Sequence, residues 1–506
     1  MFRKLGNGLL ILALIAAVAP GLDKKTEAAS VTYEAEEGVL TGVSVSSETA
    51  GYSGNGYVTG FNENSDSVVI TVNVPATGLY ALTVRYHSPY GDKKTNLFLN
   101  GNPSGELTLR QSVGFEEAQG GKLLLQAGNN TIGFVSNWGW YNIDAIRIEQ
   151  APTPLPHQVT KDLVNPKASK EAEALYRYLR SEYGNRILSG QQTLADANWV
   201  YNTTGKKPAV LGLDLIDYSP SRVEYGASST EVEEALEWDE QGGIVTFAWH
   251  WNAPKGLINQ PGKEWWKGFY TYATTFDVQY AMDNPQSEDY KLLVRDIDAI
   301  AVQLKRLQEA KVPVLWRPLH EAEGGWFWWG AKGPEPAKKL YRLMYDRLTN
   351  YHKLNNLIWV WNSENPAWYP GDAYVDIVSI DSYPQAGDYG PLSNRYDNLK
   401  GLVNDRKLIA LTENGPIPDP ELLELYSAHW SWFVTWSGPF IQDGIQNDRQ
   451  HLIEVYNHPY VLTLDELPDW KKRGYKEKDN ENDRVREEES GNRDEFTRRF
   501  FYFSSK

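Results

Sequence analysis

Two kinds of hydrophobic pattern divide the chain. Between residues 31 and 150 the apolar positions fall in short runs rich in β-branched and aromatic residues. Examples are Ser67-Val-Val-Ile-Thr-Val-Asn-Val74, Tyr80-Ala-Leu-Thr-Val-Arg-Tyr86 and Thr131-Ile-Gly-Phe-Val135. Turn-forming residues separate them, at Pro75, Gly78, Asn100-Gly101 and Gly128-Asn129-Asn130. Runs of this length and spacing predict an all-β sandwich of the jelly-roll kind. Ala151-Pro-Thr-Pro-Leu-Pro156 then reads as a stiff linker over 151–158. From 159 to 470 helical periods, such as Lys170–Arg180 and Tyr290–Ala310, alternate with short, wholly apolar runs. Eight such runs begin at Ile187, Ala209, Gly243, Val312, Leu357, Ile377, Leu408 and Trp432. Strands buried on both faces and joined by helices predict a (β/α)8 TIM barrel. The main alternative is a doubly wound open sheet, but no Gly-rich phosphate loop follows the first strand.

The ends follow neither pattern. Arg3 and Lys4 precede an apolar run from Leu9 to Ala19, and small residues return at Ala28-Ala29-Ser30. That order predicts a secretory signal peptide over residues 1–30, too short to span a bilayer. At the other end 20 of the 36 residues from 471 to 506 are charged, which predicts a disordered tail.

Composition narrows the function. The net charge of −16 argues against a nucleic-acid backbone or an anionic membrane as partner. There is no cysteine, so disulfides, thiolate metal sites and cysteine nucleophiles are excluded. A secreted chain without cysteine points toward a bacterial source. The aromatic excess, with 19 Trp and 30 Tyr, fits either a Trp-rich core or flat faces for stacking sugars. Nothing in the sequence suggests an oligomer, and the expected state is a monomer.

In a barrel of parallel strands the chemistry sits at the C-terminal strand ends. The fourth run ends on His320-Glu321, the seventh on Thr412-Glu413, the third on His250-Trp251-Asn252, the sixth on Asp381-Ser-Tyr383 and the eighth on Thr435-Trp436. Strands four and seven lie nearly opposite, so Glu321 and Glu413 can face each other across the mouth. Two such carboxylates are what retaining glycoside hydrolysis requires, one as acid then base and the other as nucleophile. Arg317, four residues before Glu321, is a candidate donor to the nucleophile. A metal site on His250, His320, Asp214 and Asp381 is a weaker reading, because no short His-x-x-x-His spacing exists. A serine hydrolase lacks its Gly-x-Ser-x-Gly turn.

Arg317-Pro-Leu-His320-Glu321, Gly325-Trp326-Phe-Trp-Trp329-Gly330, Trp359-Val-Trp361-Asn362, Ser379-Ile-Asp381-Ser-Tyr383-Pro384 and Leu411-Thr-Glu413-Asn414-Gly415 together resemble glycoside hydrolase family 26. The resemblance implies a retaining endo-β-1,4-mannanase acting on mannan, galactomannan and glucomannan without a catalytic cofactor. β-1,3-1,4-Glucan and β-1,3-xylan are the alternative substrates. A non-catalytic polysaccharide-binding protein is the reading from another class. By the same resemblance Glu321 would be the acid/base and Glu413 the nucleophile. His320 would help hold Glu413 or position the acid, and His250 and Tyr383 would contact the sugar at the cleavage point. Trp326 and Trp436 would form a platform beneath the sugar rings. Ser437 follows Trp436 where some mannanases carry an arginine. The N-terminal segment resembles carbohydrate-binding module family 35, or its sister family 6, in Tyr33-Glu34-Ala-Glu36, Gly51-Tyr52-Ser-Gly54-Asn-Gly-Tyr57 and Trp140-Tyr-Asn142-Ile-Asp144. That resemblance implies a structural Ca²⁺ on Glu34, Glu36 and Asp144, and a sugar platform drawn from Tyr52, Trp138 and Trp140. Trp140 could instead pack in the core.

Overall fold

The computed structural model describes residues 30–472. The apolar N-terminal run and residues 473–506 of the charged segment lie outside them. The first domain is a sandwich of two antiparallel sheets. One is built on Gly78–His87, Glu116–Leu125 and Asn142–Gln150, and the other on Ser67–Val74, Gly128–Trp138 and Lys93–Leu99. Alternation sets the inner face: Val68, Ile70, Val72 and Val74 are buried on one strand, and Leu82, Val84 and Tyr86 face them from the other sheet. The first strand, Val31–Glu34, pairs antiparallel with the last, matching Glu34 to Ala145. That pairing brings two acidic ends of the domain together.

Eight parallel strands close the second domain into a barrel. They are β1 (Gly190–Gln192), β2 (Val210–Asp214), β3 (Ile244–Ala248), β4 (Val314–Arg317), β5 (Leu357–Asn362), β6 (Ile377–Ser382), β7 (Leu408–Asn414) and β8 (Phe433–Thr435). Seven of the eight apolar runs become the expected strands within a few residues. The first differs. Ile187-Leu188 pairs with Val461-Leu462 in a separate two-stranded sheet, and the barrel strand starts only at Gly190. A short apolar run cannot reveal which of two neighbours it will pair with. Gly190 is needed there, since a Cβ on it would fall 2.2 Å from the Phe433 carbonyl oxygen.

The helices carry the expected apolar stripes. Lys170–Glu182 begins at Ser169, whose hydroxyl accepts the Ala172 N–H, and buries Leu175, Tyr178 and Leu179. Glu288–Glu309 begins the same way, with Ser287 accepting from Tyr290, and buries Leu293, Ile297, Ile300 and Leu304. Tryptophan fills much of the core. Twelve of the 19, including Trp249, Trp251, Trp328, Trp329, Trp359 and Trp361, are buried, whereas Trp138, Trp140, Trp266 and Trp326 are about half exposed. The aromatic excess therefore goes mainly into the core and leaves a few exposed flat faces.

The sandwich docks on the barrel. Lys122 Nζ donates to the Tyr426 carbonyl at 2.7 Å and lies 3.3 Å from Asp397, and the Leu124 N–H donates to the Tyr426 hydroxyl at 3.0 Å. The Asn394 amide donates to the Glu106 carbonyl at 2.8 Å. Among the described residues no helix is long and apolar enough to cross a membrane.

Candidate active site

The C-terminal ends of the barrel strands converge on one buried cation. Arg317 ends β4 and is almost fully buried. Its guanidinium donates to Asp381 at 2.8 Å and to Glu413. A buried arginine is tolerated only where its donors are met, and these two carboxylates meet them. A register shift between β6 and β7, with Thr412 as the extra residue on β7, sets Asp381 directly beside Glu413. Such a bulge re-aims a side chain that regular alternation would turn away. The Asp381 carboxylate also accepts from Asn362 at 2.9 Å and Thr412 at 2.8 Å. Tyr383, two residues beyond Asp381, donates its hydroxyl to Glu413 Oε2 at 2.6 Å. Glu413 thus faces a donor on each oxygen.

Glu321 hangs over this cluster on a strained turn. Leu319 and Glu321 both have left-handed backbone, at φ 54° and 52°. Non-glycine residues there cost of order 1–3 kcal/mol each and need support. Support is present: Asn362 accepts the Glu321 N–H at 2.9 Å, and Trp326 Nε1 donates to the Glu321 carboxylate at 2.9 Å. Oxygens of Glu321, Asp381 and Glu413 lie within 4.8 Å of one another. Burial, with Asp381 and Glu413 nearby, pushes the Glu321 carboxyl up to about 8. Burial and the Glu413 charge also raise Asp381, against the pull of Arg317. Three carboxylates this close match a metal site in spacing, but the Arg317 guanidinium already supplies the positive charge between two of them.

The histidines form a separate floor. Asp214, ending β2, accepts both the His250 backbone N–H, at 3.0 Å, and its Nδ1–H. His250 Nε2 lies 3.1 Å from His320 Nε2. Burial lowers His250, but the Asp214 charge outweighs it and the net shift is upward. His320 is driven well down by burial, Arg317 and His250, so it is neutral. Its Nε2 stands 3.9 Å from Glu413, beyond hydrogen-bonding distance. Of the two roles expected of His320, holding Glu413 or positioning the acid, the first has no hydrogen bond here, and the nearer partner of the ring is His250. Buried tryptophans fix both backbones, since Trp328 Nε1 donates to the Trp251 carbonyl at 2.6 Å and Trp329 Nε1 to the His320 carbonyl at 2.9 Å. Trp436 packs 5.8 Å from the His250 ring and extends this floor. Trp326, half exposed, stands beside Glu321 as a wall.

An aromatic ledge escaped the sequence reading. The Thr271 N–H donates to the Trp326 carbonyl at 2.8 Å, so segment 252–276 lies against that wall. It carries Tyr270 stacked on Tyr272 at 5.2 Å, and Trp265 stacked on Tyr225 at 4.8 Å, with Trp266 half exposed. The signal in the sequence was the pair Trp265-Trp266 followed by Tyr270 and Tyr272 in an otherwise polar loop.

In the sandwich, Glu34, Glu36 and Asp144 gather around loop 51–55. The Ser53 hydroxyl donates to Glu34 at 2.7 Å and its N–H to Asp144 at 3.0 Å, while the Asn55 N–H donates to Glu36 at 2.7 Å. Asp144 is also paired with Arg85, so it offers a cation less than expected. Glu36 Oε2 is buried without a partner, and a Cβ on Gly54 would fall 2.5 Å from the other Glu36 oxygen. An oxygen-seeking cation fits best between Glu34, Glu36 and this loop. Trp140 does not pack in the core: it is 59% exposed on a left-handed residue, φ 72°. Trp138 is similarly exposed beneath Lys93, and Tyr52 lies against Tyr57 at 6.0 Å.

Residues 164–466 match the model for glycosyl hydrolase family 26, and residues 31–151 match that for carbohydrate binding module family 35. A mannan endo-1,4-beta-mannosidase of Thermothelomyces thermophilus is 52% identical over 477 residues, spanning 92% of this chain and 98% of that protein. Mannan endo-1,4-beta-mannosidase B of Piromyces sp. is 40% identical over 89% of this chain and 79% of its own. The crystal structure of a Podospora anserina GH26-CBM35 β-(1,4)-mannanase is 52% identical and superposes with a TM-score of 0.65, covering 88% of this chain and 99% of that one. The relatives aligned over nearly the whole chain are fungal, which gives the expected bacterial source no support.

Proposed function

Because the chain belongs to glycosyl hydrolase family 26 and carries a family 35 carbohydrate-binding module, we propose that it is an endo-β-1,4-mannanase working by a retaining double displacement. The observation that carries this reading is the pairing of Glu321 with Glu413 across the barrel mouth, with oxygens within 4.8 Å. A separation of about 5–5.5 Å suits a nucleophile, whereas an activated water needs about 6.5–9.5 Å.

In the first step Glu413 attacks the anomeric carbon. A C1–O ester bond forms, the glycosidic C1–O bond breaks, and Glu321 gives its proton to the departing sugar oxygen. In the second, Glu321 takes a proton from water as the water oxygen bonds to C1 and the ester breaks. Glu413 is restored as a carboxylate and Glu321 as an acid. Arg317 and Tyr383 hold Glu413 in line. Its buried, acid-rich setting keeps Glu321 protonated at neutral pH, as a general acid requires. His250 and Trp436 form the floor under the sugar, and Trp326 the wall beside it.

Substrate choice rests on the relatives' activity on mannan. The test is reducing-sugar release from galactomannan and from barley β-glucan, with wild type and Glu413→Ala compared. Release from galactomannan alone, lost in the variant, is the expected result. Release from glucan would overturn the substrate, and release from neither polymer would favour β-1,3-xylan as substrate or a binding protein.

The module is proposed to bind polysaccharide through Tyr52, Trp138 and Trp140, and to raise the enzyme's local concentration on an insoluble polymer. A Ca²⁺ held by Glu34 and Glu36 would brace loop 51–55, with Asp144 secondary because of Arg85. The N-terminal run supports secretion, and the mature enzyme is proposed to act as an extracellular monomer.

A further inference from the structure

One arginine outside the carboxylate cluster touches its backbone. Arg395 lies on the helix Ser393–Leu402 that follows β6. Its Nη1 donates to the Asp381 carbonyl at 3.0 Å, and its Nε to Glu364 at 2.9 Å. Glu364 is buried just beyond the end of β5 and also accepts from Asn398 at 3.1 Å. Arg395 therefore ties the ends of β5 and β6 to one helix. The carbonyl it holds lies between the Asp381 side chain, bound to Arg317, and Tyr383, bound to Glu413.

The residue before it is where the sandwich lands. The Asn394 amide donates to the Glu106 carbonyl at 2.8 Å, and its Oδ1 accepts the Arg395 N–H at 2.8 Å. Gly121 of the sandwich rests on the Asn394 backbone so closely that a Cβ would fall 2.7 Å from the Asn394 Cβ and 3.1 Å from its Cα. Lys122, the next residue, reaches Asp397 and the Tyr426 carbonyl. The first turn of this helix is thus pinned from outside by the module and reaches inward to the site. Glu106 and Glu323 add to the negative field that Glu364 sets up around Arg395.

We propose that Arg395 is a positioning residue through which the docked module holds the end of β6, and with it Asp381 and Tyr383, in register with Glu413. The module would then serve the chemical step itself and not only attachment to the polymer. The physical basis is the steep dependence of rate on placement, where an error of about 1 Å is worth roughly 100-fold. Lysine cannot replace the arginine fully, because a point charge cannot bridge two acceptors as the planar fork does.

This inference rests on the mannanase reading above, and its test keeps the two apart. A soluble aryl mannobioside is assayed with the full chain as wild type, Arg395→Ala, Arg395→Lys, Gly121→Val and Asn394→Ala, each with its melting curve. Expected for Arg395→Ala is a kcat reduced about 10- to 100-fold with KM little changed. Arg395→Lys should recover part of the loss. Gly121→Val, which wedges the module off the helix, and Asn394→Ala, which removes its hydrogen bond, should lower kcat in the same pattern. Wild-type kcat in folded Arg395→Ala, or in both folded module-contact variants, overturns the proposal. Equal loss of kcat in Arg395→Lys and Arg395→Ala that follows a lowered melting temperature in both also overturns it. A wild type inactive on this substrate and on galactomannan would instead sink the mannanase reading.

Discussion

At the scale of residues, the site works by giving two similar carboxyl groups different surroundings. Glu413 receives Arg317 and Tyr383, while Glu321 receives Trp326 and the unscreened charge of its neighbours. Three expectations follow. Glu321 must be protonated to act as acid and loses that proton as pH rises through about 8. The rate constant kcat/KM should therefore fall on the alkaline side with a midpoint near that value, and a pH–rate profile checks it. The same shift bears on stability. A carboxyl whose folded pKa exceeds its unfolded one stabilises the fold while protonated, and that stability is lost as pH climbs through the folded value. Glu321→Gln should accordingly raise the melting temperature at pH 9 and leave it nearly unchanged at pH 4. Glu321→Ala should lose activity on galactomannan. It should still form the glycosyl-enzyme from an aryl mannoside with a good leaving group, because that departure needs no proton. Equal loss on both substrates would remove Glu321 from the acid role.

At the scale of elements, the turn after β4 carries the most strain and the most dependence on its neighbours. Its left-handed residues Leu319, Glu321 and Gly325 fold the chain back on itself, so that Gly330 meets Ala322. A Cβ on Gly330 would fall 1.8 Å from the Ala322 carbonyl oxygen. Gly330→Ala should therefore push residues 321–324 outward, breaking the Trp326–Glu321 contact, and lower kcat by about tenfold or more. A measured kcat at the wild-type level would show that the turn can relax. The strands were legible because a strand buried on both faces is a local apolar run, and the helices because their stripes repeat every 3.6 residues. The bulge on β7 was not legible. Nothing local marks Thr412 as an extra residue, and only the pairing of β7 with β6 sets the shift that puts Asp381 beside Glu413.

At the scale of the whole molecule, binding module and barrel form one docked unit around helix Ser393–Leu402. Two expectations belong here. Chelation with EDTA should lower the melting temperature of the full chain, and added Ca²⁺ should restore it more effectively than Mg²⁺, whose stricter geometry suits the Glu34–Glu36 loop poorly. No shift would remove the cation. Trp140→Ala should weaken retention on insoluble mannan about tenfold, the factor that roughly 1.4 kcal/mol makes, as read in a pull-down.

The sequence by itself determined the two architectures, the order of the strands and the placing of Glu321 and Glu413 at the C-terminal side of their strands, Glu321 in the turn just past β4. These follow from periodicity and chain direction, which are local. It could not determine which side chains meet. Barrel closure brings Arg317 on β4 to Asp381 on β6 and Glu413 on β7, residues 64 and 96 positions away. The same closure sets His320 beside His250, strand pairing inside the sandwich turns Asp144 to Arg85, and docking brings Asn394 to the sandwich. Those partnerships depend on burial, because a buried charge or donor must find a partner within a few ångströms whatever its distance along the chain.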